Sequence, residues 1–133
     1  MPQTFIVDAA NSIIKIDNRV MVDYGNGDFV SWEKDEENFT SSTSANGTVG
    51  VAVSHDQLGT VTYKPMQGSS EVTFLNKLAN SRKTFPIYIN SGGEFPEIVS
   101  GTRCQVKKTP SGSLSNEVSD REFEIAVFDF LNE

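Results

Sequence analysis

A chain of 133 residues, 37% apolar and 22% charged, is one domain's worth of sequence, able to bury about two thirds of its unfolded surface. Its net charge of −7 excludes a grip on nucleic acid through phosphate contacts, which needs clustered Lys and Arg. No apolar run approaches the ~20 residues of a membrane helix, and the opening MPQTFIVDAANS lacks the basic and apolar regions of a secretion signal.

The predicted elements follow a period of two, that of half-buried strands. SIIKI (12–16) and RVMVDY (19–24) flank Asp17-Asn18 and read as a hairpin, and Asn26-Gly27 is a second turn signal. Phe29, Trp32 and Phe39 then anchor an increasingly acidic segment that contains EKDEEN, residues 33–38. TVGVAV puts Val49, Val51 and Val53 on one face, TVTYKP does the same with Val61 and Tyr63, and the two are expected to be strands joined at SHDQLG.

The rhythm changes once. Val72, Leu75, Leu78 and Ala79 fall at helical spacing, with Ser69 or Ser70 to cap, Glu71 near the positive end and Arg82 and Lys83 near the negative end. This predicts an amphipathic helix over about 70–83. Strand rhythm returns over 85–90, 97–108 and 120–130, where Phe123, Ile125, Val127 and Asp129 are expected to share a face. Ser-, Gly- and Pro-rich loops join these strands. The reading is one mainly β domain, residues 1–133, a β-sandwich or partly open barrel with one flanking α-helix.

No catalytic constellation emerges. His55, the lone histidine, sits beside Asp56, but side chains one apart on a strand point opposite ways, and His55, Asp56 and Gln57 read as solvating a hairpin connection before Gly59. The lone Cys104 leaves no internal disulfide, fits a reducing cytoplasm, and has no ligand spacing with His55, so no metal and no cofactor is expected. The run at 33–38 lacks the spaced Asp, Gly and Glu of a calcium loop.

Residues 27–80, from GDFVSWEKDEENFTSSTSANGTVGVAV through SHDQLGTVTYKP to GSSEVTFLNKLAN, resemble the middle of the bacteriophage tail tube proteins. The likeness lies in the order of parts: an acidic strand, a polar loop ending in a turn, a short strand, a glycine-ended connection, and a strand feeding a helix through serines. The ends match through the opening strand pair and the closing EFEIAVFDF.

The resemblance implies a non-enzymatic structural subunit of the virion tail, assembled in the bacterial host cytoplasm. Such subunits form hexameric rings stacked into a hollow conduit through which DNA passes without specific binding. Sheath, tape-measure, baseplate and terminator proteins are the further partners it implies, and no membrane. On this reading Glu33, Asp35, Glu36 and Glu37 are candidates for the lumen or a ring contact, since acidic walls repel phosphate. Ser41, Ser42, Thr43, Ser44, Ala45, Asn46 and Gly47 are candidates for a loop reaching the adjacent ring, and Phe128 and Phe130 for an exposed contact with a neighbour.

A tube from an injection particle without a genome fits equally. The alternative class is a non-catalytic β-sandwich module binding carbohydrate or protein, for which Trp32 with Tyr24 is the one aromatic platform.

Overall fold

The computed structural model describes residues 11–22 and 29–133. Tyr24, Asn26-Gly27 and the end of the expected second strand lie outside the described residues. The strands are β1 (Ile13–Ile16), β2 (Arg19–Val20), β3 (Val30–Lys34), β4 (Phe39–Thr43), β5 (Val49–Val53), β6 (Gly59–Tyr63), β7 (Phe85–Asn90), β8 (Ile98–Val106), β9 (Phe123–Val127) and β10 (Leu131–Asn132), with helix α1 (Ser70–Ser81) between β6 and β7. Among the described residues the architecture is mainly β with one helix, its sheets open and not closed into a barrel.

The main sheet runs β2-β1-β7-β8-β9-β6-β3, antiparallel throughout. Asp17 and Asn18 turn β1 into β2 with φ of 53° and 64°, the double positive φ that a two-residue hairpin turn demands and that short polar side chains tolerate best after glycine. The alternation read from sequence holds inside the sheet. Ile14 and Ile16, Val61 and Tyr63, Phe85, Ile87 and Ile89, and Phe123, Ile125 and Val127 all point into one core.

Leu75 and Leu78 of α1 close that core, with Val72 and Ala79 packed against it. The helix stops at Ser81, two residues before the expected end, because Arg82 adopts the left-handed conformation (φ 55°) that ends helices. Ser69 holds the N-cap position, but its hydroxyl donates to the Met66 carbonyl (2.7 Å) and does not cap. Glu71 of the first turn is buried and paired with Arg19 of β2 (2.9 Å), whose guanidinium also lies 4.8 Å from the Phe74 ring centroid. That pair pins the helix to the sheet's edge.

Three expectations change. β5 does not pair with β6 across SHDQLG; it pairs with β4, while β6 is held between β3 and β9. Ser41–Thr43 are strand residues of β4, so the expected loop 41–47 is a turn only over Ser44–Gly47, because Thr40 to Thr43 face a complementary strand at 49–52. The closing strand breaks after Val127, and Asp129 leaves the core face.

Asp129 accepts hydrogen bonds from the Thr102 and Arg103 amides (3.0 and 3.1 Å) and from the Thr102 hydroxyl. Beyond this knot the phase is reset. Phe130 is therefore buried against Gly59, where an added Cβ would come within 2.3 Å of its ring, and is no exposed contact; Phe128 keeps 38% of its surface exposed. β10 then continues along β8, pairing Leu131 with Ser100.

Candidate assembly surface

β4 and β5 form a two-stranded hairpin that, among the described residues, pairs with no other strand. Its turn is set by the sequence: Ser44 donates its amide to the Thr48 carbonyl (2.8 Å), Gly47 donates to the Ser44 carbonyl (3.0 Å), and Gly47 takes a φ of 88° that glycine reaches without steric cost. The Ser44 hydroxyl and the Asn46 side chain close the tip. The register places Phe39, Ser41 and Thr43 opposite Val53, Val51 and Val49 on one face, and Thr40 and Ser42 opposite Ala52 and Gly50 on the other.

Every residue of both strands is exposed, and the apolar side chains Phe39, Val49, Val51 and Val53 keep 54–68% of their surface in water. From residue 39 to residue 54 there is no charged side chain, in a chain that is 22% charged. A free two-stranded hairpin is marginally stable in water, and depletion of charge with retention of apolar side chains marks an interface core.

The acidic candidates lie at the root of this arm. Glu33 on β3 is exposed and registers with Thr60. Asp35 accepts a hydrogen bond from the Thr60 hydroxyl (2.9 Å), and Glu36 and Glu37 sit in the exposed turn that enters β4. The solvent face of β3, β6 and β9 is thus small, polar and acidic: Ser31 beside Thr62 and Glu124, and Glu33 beside Thr60 and Ala126. The loop candidates Ser41 to Gly47 are the distal half of β4 and the arm's tip.

An open groove of about 490 Å³ borders the root, between Trp32–Lys34, Asn38 and Phe130–Asn132. Trp32 is half-buried there, packed against the core, and Leu131 is 50% exposed.

The residues with the greatest chemical potential are committed to structure. Asp56 accepts the Leu58 amide (3.0 Å) and so shapes the connection, beside an exposed His55. Cys104 is fully buried; burial first, then the nearby Asp129 charge, push its thiol up to about 12, against a weaker opposing hydrogen bond with the Ile87 backbone. It is not a thiolate nucleophile at neutral pH. Among the described residues no three His, Cys, Asp or Glu side chains gather as metal ligands.

The sequence reading missed that Phe39 and the three valines are exposed. The available signal was the uncharged stretch itself, directly after an acidic run.

No protein-family model matches the chain, and no curated protein matches it. Solved structures do. The chain is similar to the tube-terminating cap of the anti-feeding prophage (12% identity, TM-score 0.65, covering 100% of this chain and 94% of that one). It is similar to the sheath/tube terminator of the PVC extracellular contractile injection system in its extended state (14%, 0.66, 98% and 98%). A chain of the extended PVC sheath-tube complex also matches (13%, 0.63, 96% and 91%). At these identities the likeness shows a shared fold.

Proposed function

We propose that this protein is a structural subunit of the tube of a phage-type tail or contractile injection particle, closing with copies of itself into rings, hexameric and stacked, around a central channel. The observation that carries the reading is the β4–β5 arm: uncharged, apolar on one face and exposed on both, it gains stability only by covering a neighbour. A head-to-tail contact between copies closes into a ring when its rotation allows. The sheet's terminal strand β3 adds a further edge for pairing.

The acidic, small-residue face of β3, β6 and β9 suits a channel wall that repels nucleic acid, and an injection particle carrying another cargo would use the same wall. Sheath, tape-measure, baseplate and terminator proteins are the partners of such a ring. A second reading, an end ring that terminates the tube, is favoured by the cap and terminator chains that match this one over nearly their whole length. Negative-stain microscopy of the purified protein across a concentration series, with mass by light scattering, tests both. Stacked tubes support the tube-body subunit and single rings the terminator, whereas a monomer throughout overturns ring closure by the chain itself.

A further inference from the structure

We infer that the arm of one copy seats on the groove between β3 and β10 of the next. The inference rests on the ring reading above and names its contact. Each chain offers both an uncharged arm and a groove to receive it, the pairing that a head-to-tail assembly needs.

The groove matches the arm in chemistry. Trp32 and Leu131 give it apolar surface for Phe39 and the valines, and Asn38 and Asn132 give polar groups for the serine and threonine hydroxyls. Its two charged side chains, Glu33 and Lys34, are of opposite sign, so an uncharged arm meets no net charge. Its floor is fixed in advance: Phe130 sits on Gly59 and donates its amide to the Gln57 carbonyl (2.8 Å).

The occupant comes from another copy because the groove lies at the arm's own root. Asn38 borders the groove, and Val51 and Val49 lie out along the hairpin, the latter opposite Thr43 at its far end. At about 3.3 Å per residue the far end stands roughly 13 Å from the root, a span suited to a neighbour.

Trp32, the one tryptophan, reports on the seat directly. In a dilution series of the full chain, its emission should shift to shorter wavelength as mass rises, with one midpoint, because the arm takes water off the indole. Leu131→Asp, at an exposed site, should keep the folded circular dichroism spectrum and weaken association by about tenfold or more, the loss expected for a central apolar contact. Assembly with unchanged Trp32 emission, or Leu131→Asp assembling as the parent does, overturns the groove as the seat and leaves the ring reading standing. A parent chain that never gains mass overturns both.

Discussion

Asp129 shows how one side chain decides a local structure. Partial burial works against its charge, yet the hydrogen bonds from the Thr102 hydroxyl and from the Thr102 and Arg103 amides outweigh that and hold the carboxyl below its ordinary value. A carboxyl lowered in the folded state stabilises fully above the unfolded value and loses that contribution as pH falls through the folded one. Asp129→Ala should therefore unfold more easily near neutral pH, by about 1 kcal/mol for solvent-screened hydrogen bonds. The gap to the parent should narrow as pH drops below the aspartate range. Urea unfolding at several pH values measures both. At the same scale, Gly59 is required by contact and not by its backbone angle: the Phe130 ring occupies the place of a Cβ.

At the scale of elements, the contrast lies between strands whose faces are divided and strands whose faces are not. β6, β7 and β9 alternate buried with more exposed residues, whereas β4 and β5 are exposed along their whole length. Both strands alternate apolar with small or polar residues, Val49, Val51 and Val53 in β5 and Val61 and Tyr63 in β6, so period alone cannot tell which of them enters the core. An acidic substitution on the arm should separate folding from assembly. Val51→Asp, at a residue 59% exposed, should leave the unfolding midpoint of the body nearly unchanged, since surface changes mostly fall within about 0.5 kcal/mol. It should abolish the concentration-dependent gain in mass, because the arm's contact would then bury an unpaired charge. Parallel unfolding and sedimentation measurements distinguish the two effects.

For the whole molecule, the arm is a two-stranded sheet separate from the eight-stranded one. Among the described residues β4 and β5 pair only with each other, and the Ser54 amide meets the Asn38 carbonyl at 2.8 Å, so the ends of the arm are already joined. Replacing residues 39–53 by a short Gly-Ser link should give a folded monomer with the parent's helix and sheet signal and no rings. Circular dichroism and sedimentation check it; a link variant that still forms rings would mean that the sheet edges alone close them.

The sequence by itself determined the strand faces of the core, helix α1 and the β1–β2 turn. Each is a local pattern: apolar residues at period two or 3.6, and Asp-Asn where two positive φ values are needed. Only the tertiary structure decided which strands become neighbours, because alternation marks a strand's faces and leaves its edges unassigned. So β5 turned back on β4, Asp129 reset the phase that buried Phe130, and an uncharged stretch that read as ordinary strand and loop became an exposed arm.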